Sequence, residues 1–299
     1  MTPMTSADRI AVIQRTRAAG AAAFVNALSH SDNASSEQAL SQHWLAEMRK
    51  DSNLLPDGWY QPPPGGVSVL IGRAPRYERL TYDSLRDPRI WPRDDHTLSA
   101  ESLVYAYASP TDRHSGLIGD LGMTLYRGAS KAIHDHLTSC LKVSTQVAAY
   151  AEVGMELRDL FHHAQKTIRD IDPSLSNFVT SITDAGASNI GHTIPWSYEG
   201  YSPEVVECLE QGSTTDIADM IKSRRVFLNA SSREQVKPTM AFTVEPRIAS
   251  PSLPLSSYHL IVTFLEGKRR ICSNLAPIFK LFGMDQYLPQ DVLGYLDET

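Results

Sequence analysis

The chain has 299 residues, 42% of them hydrophobic, and a formal net charge of −6. That length fits one large domain or two small ones, and the apolar fraction is enough for a substantial core. The acidic balance speaks against a nucleic-acid or anionic-membrane surface, and no apolar run reaches the roughly 20 residues needed to span a bilayer.

The apolar stretch Ala18 to Leu28 follows a polar segment with Asp8, Arg9, Arg15 and Arg17. It reads as an amphipathic helix and not as a signal peptide. Periodicity through Ile10, Ile13, Ala18, Ala22, Phe24, Val25 and Leu28 predicts a helix over 6–30. A second helix is expected from Ser35, with Gln38 completing a capping box and Leu40, Trp44, Leu45 and Met48 on its apolar face. Pro62-Pro63-Pro64-Gly65-Gly66 is a hard break before a short strand, Val67 to Ile71. Residues 73–98, charged and punctuated by proline, read as an irregular excursion.

Leu103 to Ser109 and Leu117 to Tyr126 form a predicted hairpin around Thr111-Asp112-Arg113-His114-Ser115-Gly116. Residues 129–170 are helical, divided at Gly154. Strands recur at Phe178 to Thr183, Pro238 to Glu245 and Tyr258 to Phe264. No internal repeat is present. Helices that precede and interrupt hairpin-connected strands give an α+β pattern, not Rossmann alternation. Cys140, Cys208 and Cys272 make no CxxC pair and read as buried reduced thiols, so a cytoplasmic protein is expected.

His134-Asp135-His136 falls on a helix, where residues two apart do not share a face, so joint metal binding there is not expected. His162-His163 is read as surface. No GxGxxG, P-loop, GxSxG or HExxH string occurs.

Two segments carry the functional signal: Asn189-Ile190-Gly191-His192-Thr193-Ile194-Pro195 and Met240-Ala241-Phe242-Thr243-Val244-Glu245-Pro246. With Gly119-Asp120-Leu121-Gly122-Met123-Thr124-Leu125-Tyr126-Arg127-Gly128 and Val153 to Phe161, they resemble the superfamily of methionine aminopeptidase, aminopeptidase P, prolidase and creatinase. The resemblance implies the pita-bread fold, an antiparallel curved sheet flanked by helices. Residues 1–66 would form a helical extension packed on a catalytic domain, 67–299.

The resemblance also implies a ligand set. Asp120 matches the second metal-binding aspartate, His192 the histidine and Glu245 the first of two glutamates. Tyr107 aligns at the first aspartate, and Tyr258, followed by His259, aligns without a gap at the second glutamate. In two-metal relatives one cation uses the second aspartate, the histidine and both glutamates. The other needs the first aspartate, the second aspartate and the second glutamate. This chain would therefore keep ligands for one divalent cation, with Fe(II) favoured and Mn(II), Co(II) or Zn(II) possible. A bland reading of Tyr107 and Tyr258 is core packing with paired hydroxyls; the alternative is that both orient substrate. Two peptidase histidines are missing, one ahead of the hairpin and one where Tyr198-Glu199 stands, which leaves Glu199 as a substitute and His259 as a retained imidazole.

The expectation from these losses is a mononuclear metalloenzyme acting on a small amino-acid-like or dipeptide-like substrate, oxidative or lyase-type. Alternatives are a metallo-aminopeptidase or dipeptidase, and a metal-free creatinase-like enzyme or binding protein. A homodimer is expected by analogy with compact members of the fold.

Overall fold

The computed structural model describes residues 4–31, 35–61, 63–74, 77, 80, 87–177 and 188–288. The first helix, α1 (Ser6–Ser29), begins at a capping box in which Thr5 and Asp8 satisfy each other's backbone N–H. The second, α2 (Glu37–Met48), is capped by Ser36, which accepts from Ala39 N–H. The cap is thus one residue later than the Ser35–Gln38 spacing predicts. These two helices lock together where Phe24 stacks on Trp44, ring centroids 4.1 Å apart, and the Trp44 indole donates to Gly20 O at 2.9 Å.

A first antiparallel sheet has the order β1 (Val67–Gly72), β2 (Leu103–Ala108), β3 (Leu121–Tyr126). All three strands are buried throughout, which explains their near-continuous apolar sequence. After β3 come α3 (Lys131–Tyr150) and α4 (Leu157–Ile171), separated at Gly154, whose φ is +92°. Then follow β4 (Ser176–Asn177), α5 (Pro203–Gln211), α6 (Thr214–Arg224) and β5 (Met240–Val244). The chain continues through β6 (Arg247–Ala249), β7 (Ser256–Ser257), β8 (Leu260–Leu265), β9 (Lys268–Cys272) and α7 (Ala276–Phe282). The second sheet has the order β5-β8-β9 and a small third one β4-β6-β7. The expected strand Phe178 to Thr183 lies outside the described residues. Among the described residues no helix is long and apolar enough to cross a membrane.

The first two sheets meet at one seam. Met123 on β3 bridges Tyr258, and His259 N–H donates to Gly122 O at 2.8 Å. Helix α1 crosses beneath this seam and delivers Arg17 into it. The guanidinium is fully buried and donates to three backbone oxygens: Asp120 O, His259 O at 2.6 Å and Ser273 O at 2.6 Å. Burial lowers its pKa to about 10, which still leaves it charged at neutral pH.

One side chain therefore fixes β3, the start of β8 and the end of β9 relative to one another. Arg17→Met would orphan three buried carbonyls, each costing about 1–3 kcal/mol, partly offset by removing a buried charge. The expected result is a melting temperature lower by at least ~5 °C in a thermal unfolding scan. An unchanged melting temperature would contradict this role.

Candidate metal centre at the sheet seam

Four polar side chains converge at the seam, all nearly inaccessible: Asp120, His192, Glu245 and His259. Asp120 immediately precedes β3. Glu245 immediately follows β5. His192 sits on a segment stitched to its surroundings by the bridges His192–Phe227 and Thr193–Phe242. The glycine before it is required: Gly191 has φ +139°, and a Cβ there would collide with Thr243 O.

His192 is held in one tautomer. Its Nδ1 lies 3.0 Å from Thr193 O, and a carbonyl can only accept, so Nδ1 carries the proton. Nε2 is the ring nitrogen turned to the centre, 3.5 Å from Asp120 Oδ2 and 4.0 Å from Glu245 Oε1. The other oxygen of each carboxylate is already engaged. Trp59 Nε1 donates to Asp120 Oδ1 at 2.7 Å. His259 Nδ1 lies 2.9 Å from Glu245 Oε2, a close ion-pair contact with the ring nitrogen off the ideal hydrogen-bond direction.

The strand registers settle which residue stands where. Ala108 pairs with Leu121 and Thr111 bridges Ile118, so the residue across from Asp120 is Ser109. Tyr107 pairs with Gly122, two residues further along. It packs edge-on to His259 and Tyr60, ring centroids 5.9 Å away in each case. Val244 pairs with Leu260, so the residue across from Glu245 is His259.

Tyr258, which the gapless alignment placed at the second glutamate, faces away from the centre. Its ring packs on Phe279, centroids 5.9 Å apart, and burial together with Cys140 pushes its pKa well up. An imidazole thus occupies the place expected for the second glutamate. The His259 ring lies against Gly122, where any Cβ would strike it. Glu199 is not brought to the centre; it is exposed, and its charge bears on Tyr198, whose ring Lys237 covers at 4.2 Å. The remaining histidine pair is structural: His134 Nε2 meets Gly128 O at 2.8 Å and His136 Nε2 meets Pro254 O at 2.9 Å.

Two residues that the motifs did not reach shape the centre. Trp59 stands edge-on to His192, centroids 5.7 Å apart. Arg225 lies over both Trp59, at 4.6 Å, and Phe227, at 5.1 Å. The signal for Trp59 is a lone tryptophan ahead of the proline break.

Among the described residues no three His, Cys, Asp or Glu side chains stand as a ready-made metal cage. The separations from His192 Nε2 still pass the span test. Two ligands bonded at about 2.0–2.2 Å to one ion lie between roughly 3 and 4.3 Å apart, and here they are 3.5 and 4.0 Å apart. Nε2 and one oxygen of each carboxylate are thus spaced, in the two pairs that include His192, as ligands sharing one cation would be. Ser109 and His259 stand across from Asp120 and Glu245, at the positions where the family resemblance would put the further carboxylates of a second site.

Burial pushes the Glu245 carboxyl up, but the charge and contact of His259, with His192 and Arg247, outweigh it and hold the pKa at about 2. Lowered from the usual 4.5, this group adds stability above pH about 4.5 that is lost as pH falls toward 2. The span corresponds to on the order of 3 kcal/mol. Urea unfolding between pH 2.5 and 6 should therefore show a steep acid limb in the native chain and a flatter one in Glu245→Gln. Parallel curves would contradict it.

The model of metallopeptidase family M24 matches residues 12–270. Aminopeptidase P from Escherichia coli, zinc-substituted and in complex with product, aligns over 96% of this chain and 60% of its own, at 12% identity and a TM-score of 0.59. The X-Pro aminopeptidase from Thermotoga maritima MSB8 covers 88% of this chain at 14% identity, 60% of its own length and TM-score 0.56. For the prolidase from Pyrococcus furiosus the figures are 88%, 14%, 63% and 0.57. The chain therefore spans about three fifths of the length of these structures, and at such identities the likeness is one of fold. No curated protein sequence matches the chain. The match over residues 12–270, with a pita-bread α+β fold behind it, makes this chain a member of metallopeptidase family M24.

Proposed function

We propose that this protein is a hydrolase of small peptide-like substrates that works with one divalent cation at Asp120, His192 and Glu245. The observation that carries the reading is the contact of His192 Nδ1 with Thr193 O, which turns Nε2 toward one oxygen of Asp120 and one of Glu245. When bound, a divalent cation there supplies Lewis-acid polarisation of a carbonyl and acidifies water.

The chain's own residues supply the rest. Asp120 and Glu245 offer hard oxygen ligands, and His192 adds one imidazole, a set suited to Mn(II), Co(II), Fe(II) or Zn(II). His259 Nδ1 can hold a proton against Glu245 Oε2 and exchange it during turnover. Trp59, Tyr107 and Phe227 wall the centre with aromatic rings and limit water. Tyr258 and Glu199 have no place in this scheme.

Family membership and the peptidase fold neighbours favour hydrolysis over the oxidative or lyase chemistry expected from the sequence. That expectation rested on missing peptidase histidines, and His259 places an imidazole inside the centre. A metal-free reading has one observation in its favour: Trp59 and His259 each engage a carboxylate oxygen without any cation. Pairing of two copies stays part of the proposal and is read by light scattering.

The test is calorimetric titration of the apo-protein with Mn(II), Co(II), Fe(II) and Zn(II), followed by a panel of Xaa-Pro and other dipeptides. One equivalent should bind, and amino acids should be released without oxygen uptake. His192→Ala should weaken binding at least 100-fold and lower turnover by ~10³-fold or more. No bound cation under any condition supports the metal-free reading; oxygen uptake on adding amino acids supports the oxidative one.

A further inference from the structure

Trp59 comes from the loop ahead of β1, far in sequence from every other group at the centre, yet its indole N–H is aimed at a carboxylate there. An indole nitrogen donates and cannot accept. Asp120 Oδ1 is therefore held by a neutral donor at 2.7 Å, and only Oδ2 faces His192.

The indole is fixed from two sides. On the backbone side, Trp59 N–H reaches Ser109 O at 3.2 Å and Thr111 Oγ1 at 3.2 Å, and Tyr60 N–H reaches Ser109 Oγ at 3.1 Å. Ser109 is the residue across from Asp120, so donor and acceptor hang from paired strands. On the ring side, the half-buried Arg225 guanidinium lies over Trp59 at 4.6 Å and over Phe227 at 5.1 Å. Phe227 in turn meets His192 edge-on, centroids 6.4 Å apart. Cation–π contact of this kind holds a ring in place most strongly where water is excluded.

From this geometry we infer that Trp59 is a positioning residue of the cation site, orienting Asp120 to offer a single oxygen, and that Arg225 acts through Trp59. The inference rests on the one-cation reading above. It assigns a role to a donor that the metal-ligand motifs do not contain. A hydrogen-bond donor behind a ligating group alters metal affinity by about 10–100-fold.

The experiment is calorimetric titration of Mn(II) and Zn(II) into the full chain, wild type, Trp59→Phe, Arg225→Gln and the double variant, with tryptophan emission followed in parallel. Trp59→Phe keeps a ring and loses the N–H. It should weaken binding about 10–100-fold with the stoichiometry unchanged. Arg225→Gln should weaken it less, and the double variant should be no weaker than Trp59→Phe, because both changes act on one orientation. Cation addition should change emission in the wild type and Arg225→Gln and leave Trp59→Phe nearly silent.

A merely structural Trp59 would lower the melting temperature and leave affinity alone. Wild-type affinity in Trp59→Phe, or additive losses in the double variant, would overturn the inference. Should Trp59→Phe fail to fold, unchanged affinity in Arg225→Gln would overturn it alone. A wild type that binds neither cation would sink the cation reading itself, and the inference with it.

Discussion

The Arg17 guanidinium is the constraint on which the site depends. It is fully buried, faces backbone oxygens of Asp120, His259 and Ser273, and arrives on a helix more than a hundred residues away from them in sequence. A buried charge is costly unless its donors are satisfied. Here the satisfying acceptors are the main-chain atoms that define the seam between two sheets. Losing the geometry of the seam would strand the charge, and losing the charge would strand the carbonyls. Fold and site are thus secured by the same contact, and α1 belongs to the centre as much as the strands do.

Above that contact the chemistry divides into two halves. Nε2 of His192 and one oxygen each of Asp120 and Glu245 face a shared space. The second oxygens are turned outward onto protein donors, Trp59 and His259. The arrangement engages one oxygen of each carboxylate in a nearly dry site and leaves the other facing His192. An imidazole stands across from Glu245 and a serine across from Asp120, which is why the proposal above is for one cation.

Much of this was legible in the chain, and the failures have physical causes. Helices α1 to α4 are long and apolar enough for their existence to be readable, but α3 has no side-chain cap and ends at Tyr150, ahead of the expected division at Gly154. Helices α5 and α6 carry cap signals at Ser202-Pro203 and Ser213–Asp216 but are short and bury few residues, so little apolar sequence marks them. The site errors came from strand register. Side chains alternate faces along a strand, so the gapless alignment, one residue off, put Tyr258 at the second-glutamate position where the structure has His259, which the sequence kept only as a neighbouring imidazole. A slip of two, as at Tyr107, keeps the face and displaces only the position. Asp120, His192 and Glu245 each sit in a recognisable local string, and the structure brings the three side chains together. Arg17, Trp59 and Arg225 were missed because their partners are distant in sequence and no local pattern announces them.

The central claim is that the seam holds one divalent cation. It is tested most directly by a crystal structure of the protein grown with Mn(II), read by anomalous difference density at the seam. The account predicts a single peak within about 2.0–2.3 Å of Asp120 Oδ2, His192 Nε2 and Glu245 Oε1, with Trp59 still on Asp120 Oδ1. Two peaks, or none at full Mn(II) saturation, would contradict it.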